Sequence, residues 1–140
     1  MMHAILTVNY IAVVVVTIIG FLLGWLWYSV LFGKAWMAEM KITEEKMKEA
    51  TAKGMAKLFA TGFFYTLLST FALAVLIKVN GSANWLKGAE FGVFVGVLVV
   101  GARMLNGGLW EQRTARLQLI NLGHEVALFA LQGAILGVWR

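Results

Sequence analysis

Gln118, Asn121, Glu125 and Gln132 follow one another at intervals of three, four and seven residues near the end of the chain. On an α-helix, at 100° per residue, they share an arc of about 60°. A row of amides around one carboxylate is a side-chain set that can bind an ion or a small polar solute, or pass a proton. The same set can instead tie helices together, each hydrogen bond contributing about 0.6–2 kcal/mol. His124 stands beside Glu125 but about 100° around the helix, and its imidazole can relay a proton or ligate a metal. The other histidine is His3, far away at the N-terminus. One imidazole and one carboxylate are too few ligands, so no metal is expected and His124 is read first as a hydrogen-bonded packing residue.

A second group, Trp110-Glu111-Gln112-Arg113 with Arg116, gathers charge in a short stretch. It can hold a lipid headgroup or an anionic substrate. The plainer reading is a solvated loop with local ion pairs, which contribute little. The sequence holds no Ser/His/Asp set, no phosphate-binding loop and no HExxH motif. With no cysteine, thiolate chemistry is excluded. No catalytic residue, cofactor or nucleic-acid partner is expected, and nothing names a substrate.

The elements that must position these residues follow from composition. The chain has 140 residues, 61% of them hydrophobic and 14% charged. A soluble domain carries about 25% charged residues, so this one has too little charge to cover a water-facing surface. The charges are also clustered, leaving long uncharged runs. A bilayer is therefore the expected solvent and main partner, and the net charge of +5 reads as a topology signal in loops, not as a nucleic-acid face.

A span needs about 20 apolar residues, and four runs qualify. They are Val8 to Leu31, Leu58 to Ile77, Trp85 to Leu105 and Leu117 to Val138. The first is too long for a cleaved signal peptide and lacks its basic start. The third must accommodate Glu90 and Arg103 near its ends and stops at Asn106-Gly107-Gly108. Only helices or closed barrels satisfy the backbone in hydrocarbon. Continuous rather than alternating apolar runs select helices. The expectation is an all-α, single-domain bundle of four transmembrane helices over residues 1–140. Thr43 to Lys57, with a hydroxyl cap followed by Glu44 and Glu45, predicts an amphipathic surface helix running on into the second span. The chain lacks proline, so any break in a span must rely on glycine.

Basic residues set the orientation. Lys34, Lys41, Lys46, Lys48, Lys53 and Lys57 precede the second span, and Arg103, Arg113 and Arg116 lie between the third and fourth. These nine face Lys78, Lys87 and Arg140 on the other side. The positive-inside rule then places both termini outside a cell membrane. Trp27, Tyr28, Trp36 and Trp110 fall at the inner interface, and Tyr10, Trp85 and Trp139 at the outer, as aromatic belts do.

Small residues four apart mark every span: Gly20 and Gly24; Gly62, Thr66, Thr70 and Ala74; Gly88, Gly92 and Gly96; Gly133 and Gly137. Such stripes let helix backbones approach closely. The neighbour of the third-span stripe is open: another helix of the same chain, or a second copy in a homodimer. Gly24-Trp25-Leu26-Trp27 and Gly107-Gly108-Leu109-Trp110 share Gly-x-Leu-Trp, a short hint of two repeated helix pairs.

Several blocks resemble the family called domain of unknown function 1761. They are Asn9-Tyr10, Leu26-Trp27-Tyr28-Ser29 with Leu31-Phe32-Gly33-Lys34-Ala35-Trp36, Ala52-Lys53-Gly54-Met55-Ala56, Trp110-Glu111-Gln112-Arg113, Leu119-Ile120-Asn121 with Gly123-His124, and Gly133-Ala134-Ile135-Leu136-Gly137. Val30 stands where the family usually has proline, so no proline enforces a kink there. The resemblance implies a small polytopic prokaryotic membrane protein and no particular activity. It directs attention to Tyr28, Lys34, Trp36, Glu111, Arg113, Asn121 and His124.

Three functions are carried forward. One is a small oligomeric transporter or channel component with a polar path along the fourth span. The next is a non-catalytic module that binds lipid or a partner protein. The last is a lipid-modifying enzyme acting through Glu111 and His124.

Overall fold

The computed structural model describes residues 1–139 of the chain, and among them it is helical with no strand. Arg140, one of the three basic residues assigned to the outer side, lies outside the described residues. The helices are α1 (Met2–Thr7), α2 (Tyr10–Leu31), α3 (Gly33–Glu39), α4 (Glu44–Ala52), α5 (Ala56–Asn80), α6 (Trp85–Trp110) and α7 (Ala115–Val138). Four of them, α2, α5, α6 and α7, are long and apolar enough to cross a membrane.

Side-chain caps set several helix starts. Asn9, Thr43, Asn84 and Thr114 each accept a backbone N–H from three residues on, at 3.0, 3.3, 2.9 and 3.2 Å. Gly81, at φ +72°, ends α5 in the left-handed conformation that glycine adopts without penalty.

Three boundaries differ from expectation. The surface helix and the second span are separate, because Gly54 at φ +87° breaks the chain between α4 and α5. The first span begins at Tyr10, behind the short α1. Asn106-Gly107-Gly108 does not stop the third span, which continues to Trp110. Gly108 is buried there, and a Cβ on it would stand 2.6 Å from Gln118 Oε1. The glycine serves packing, not termination.

Helix α7 touches each of the other three long helices, and α6 lies closest along its length. The α6 stripe packs on α7 of the same chain. A Cβ on Gly88 would fall inside the Gly133 carbonyl, one on Gly92 inside the Phe129 carbonyl, and one on Gly96 would stand 3.2 Å from Val126 Cα. On α2, Phe21 meets Phe59 and Phe63 of α5 edge-on. The apolar core, including Ala12, Val16, Leu73, Ile77, Phe129 and Leu136, fills the half of the molecule toward Asn9.

Two spans widen into π-helical turns, at Leu26–Leu31 of α2 and Val95–Gly101 of α6. In the first, Phe32 N–H donates to Trp27 O at 2.9 Å, five residues back. Gly33 stands just after the first widened turn, and Gly101 is the last residue of the second. A Cβ on Gly33 would lie 3.0 Å from Tyr28 O, and one on Gly101 2.9 Å from Gly96 O. Glycine thus marks the irregularity that a proline would otherwise impose. The two Gly-x-Leu-Trp segments are not equivalent: Trp27 is half-buried within a π-turn, whereas Trp110 is 85% exposed at a helix end.

Candidate functional site

The π-turn of α2 carries Trp27 and Tyr28 toward α7. The sequence places both in an interfacial belt, but one extra residue in a turn swings the face of a helix by roughly 100°. Trp27 Nε1 donates to the Ile120 carbonyl at 3.1 Å, and the Tyr28 hydroxyl donates to Asn121 Oδ1 at 3.1 Å. Gly123 makes room for the indole, since a Cβ there would stand 3.0 Å from Trp27 Cζ2.

His124 sits between these rings. Its centroid is 4.9 Å from Tyr28 and 6.1 Å from Trp27, and Trp36 of α3 meets Tyr28 edge-on at 5.6 Å. His124 Nδ1 lies 3.3 Å from Glu125 Oε1. The two residues diverge around the helix, yet their side chains bend to meet. The imidazole is almost fully enclosed, while 26% of the Glu125 side chain is exposed. The other ring nitrogen, Nε2, is buried without a partner. It faces Gly24, where a Cβ would lie 3.3 Å away.

Gln132 is fully buried between α2 and α5. Its Nε2 donates to Thr70 Oγ1 at 2.8 Å. Thr70 spends its own proton on the Thr66 carbonyl at 2.8 Å, so it can only accept from the amide. That fixes the amide orientation and leaves Gln132 Oε1 buried without a partner. Gly20 again provides the space: a Cβ there would stand 2.7 Å from both Gln132 Nε2 and Leu128 Cδ1.

The four residues of the predicted stripe therefore have four different neighbours. Gln118, in the first turn of α7, donates back to the Arg113 carbonyl of the preceding turn at 3.3 Å. Asn121 holds Tyr28, Glu125 holds His124, and Gln132 holds Thr70. A shared arc on one helix became separate contacts because α2, α5 and α6 each border part of it.

The predicted charged cluster also divides. Arg113 closes on Glu111 at 2.5 Å in its own turn, whereas Arg116 pairs with Glu39 of α3 at 3.7 Å. The Thr114 hydroxyl donates to the same Glu39 carboxylate. Lys34 is exposed, and Tyr28 and Trp36 belong to the histidine cluster. Glu39 was not singled out by the sequence. It is one acid in a charged stretch, and its partners lie 75 and 77 positions away.

The family described as "Protein of unknown function (DUF1761)" matches residues 11–137. The chain belongs to the DUF1761 family. No curated protein and no solved structure matches it. Of the residues through which this DUF1761 chain resembles its family, Trp27, Tyr28, Trp36, Asn121 and His124 come together in one cluster. Glu111 and Arg113 lie outside that cluster, in the turn before α7.

Proposed function

We propose that this DUF1761 protein is a four-span transporter or channel component of the cell membrane. Its polar station is His124 with Glu125, braced by Tyr28 and Asn121. Both termini lie outside, from the excess of basic residues at the α2–α5 and α6–α7 connections. The exterior supports the membrane assignment: Ile11, Leu22, Leu68, Leu98 and Leu119 are all exposed, on all four long helices.

One observation carries the functional reading. A carboxylate–imidazole pair stands 3.3 Å apart, and at 1.5 Å rise per residue it lies about 14–15 Å into α7. That is near the middle of a hydrocarbon core about 30 Å thick. An ionised carboxylate there costs about 2.5–3.5 kcal/mol on insertion scales, and such residues mark ion and proton pathways. The path does not run along the whole α7 face. It centres on the pair and on the α2 side chains packed against it.

The test is charge movement across vesicles containing the purified protein, under an imposed potential. Glu125→Gln keeps the shape and removes the charge. The expected result is a current at least about tenfold below that of the unaltered protein, with helix content and insertion retained. An equal current in the variant overturns the reading.

A further inference from the structure

Helix α6 has two distinct faces. Gly88, Gly92 and Gly96 pack on α7. Lys87, Glu90, Phe91 and Phe94 share an arc of about 100° on roughly the opposite side. This second face lines an open groove of about 420 Å³, and Asn80 and Ser82 line its end at the α5–α6 turn. Helices α5 and α6 scarcely touch each other, since each packs on α7 instead. The turn itself is well tied. Gly81 takes the left-handed conformation, Asn80 Nδ2 donates to Ser82 Oγ at 2.9 Å, and Ser82 N–H donates to the Ile77 carbonyl at 3.2 Å.

The groove is polar at one end and apolar below. Trp85, 61% exposed, begins α6 and marks the headgroup level, as interfacial indoles do. Lys87 follows two residues later. Glu90 lies about 7–8 Å into the helix, and its side chain leans back toward the helix start, so both charged groups stand among the headgroups. Both are exposed. They are three residues apart, a spacing at which acid and base can pair, yet among the described residues neither takes part in an ion pair. Deeper in the span, Phe91 and Phe94 stack at 6.2 Å and 19°. Leu98, 59% exposed, continues that face one turn on.

A base and an acid side by side above an apolar track complement a zwitterionic phospholipid. The kind of ammonium follows from the partner. A carboxylate accepts hydrogen bonds, which a primary ammonium offers and a trimethylammonium does not. A trimethylammonium is held by aromatic faces set around it, whereas Phe91 and Phe94 stack as one wall. A purely anionic headgroup suits Lys87 but is repelled by Glu90. We propose that the α5–α6 groove binds one phospholipid with a phosphoethanolamine headgroup. Its phosphate meets Lys87, its ammonium meets Glu90, and the start of one acyl chain lies on Phe91 and Phe94. The rest of the lipid stays in the bilayer. The site shares with the transport reading only the membrane setting, and it does not involve His124 or Glu125.

Native mass spectrometry tests this on the full chain, released from micelles that hold equal amounts of phosphatidylethanolamine, phosphatidylcholine and phosphatidylglycerol with identical acyl chains. The expected result is one phosphatidylethanolamine retained per chain, at least about fivefold above each of the other two. Glu90→Gln should make phosphatidylethanolamine and phosphatidylcholine equal. Lys87→Gln should lower retention of both. These side chains are exposed, and unchanged helix content confirms that the variants fold. Equal retention of the two zwitterionic lipids by the unaltered protein, or an excess of phosphatidylglycerol, overturns the headgroup assignment. Retention of phosphatidylethanolamine unaltered in Glu90→Gln overturns the site. Glu125→Gln, the variant that tests transport, should leave lipid retention unchanged; a loss there as large as in Glu90→Gln overturns the placement of the lipid in this groove.

Discussion

Glycine does opposite work on the two sides of α7. Against α6, Gly88, Gly92 and Gly133 bring backbone onto backbone, and there is no space for a side-chain atom. Against α2, Gly20 and Gly24 clear space that polar side chains from α7 enter. One seam is closed by main chain and the other is furnished with an amide and an imidazole. A small-residue spacing alone does not distinguish these uses. What distinguishes them is the opposite residue, Gly133 in one case and His124 or Gln132 in the other.

That contrast predicts an ordered series of effects. The largest belongs to Gly133→Ala, whose methyl would fall inside the Gly88 carbonyl. Backbone must move, so the cost is expected at or above the upper part of about 1–3 kcal/mol for overpacking. Gly20→Ala meets only the ends of Leu128 and Gln132, at 2.7 Å. Those ends can shift, and a cost toward about 1 kcal/mol is expected. Reversible unfolding in mixed detergent micelles compares the two, and equal losses would erase the distinction between the seams. Thr70→Val keeps the shape and removes the acceptor for Gln132. A loss of about 0.6–1.7 kcal/mol is expected in the same assay, and none at all would mean that the Gln132 bond does not hold α5 to α7.

The four long helices were legible because their apolar runs are long and their charges sit between them. The polar side chains of α7 were legible as an arc, since helical geometry is set by residue number. Their partners were not. Tyr28 reads as an interfacial anchor until the π-turn at Leu26–Leu31 turns it inward. A widened turn has no proline to announce it here, only Gly33 after it. Thr70 was visible as a small residue in a packing stripe, but its role as acceptor depends on Thr66 taking its proton. Asn106-Gly107-Gly108 carries the composition of a stop, yet the chain stays helical through it, with Gly108 packed against Gln118. Glu39 meets Thr114 and Arg116 only once α3 folds back beside the start of α7.

The claim that separates the two seams is that polar side chains fill one and main chain closes the other. Solid-state NMR of the protein in nanodiscs reads such through-space contacts residue by residue. The account predicts cross-peaks from the Gln132 side-chain amide to Gly20 and Thr70 and from the His124 ring to Gly24, and backbone cross-peaks joining Gly88 to Gly133. A His124 ring with no contact to Gly24, or a Gly88 remote from Gly133, would contradict it.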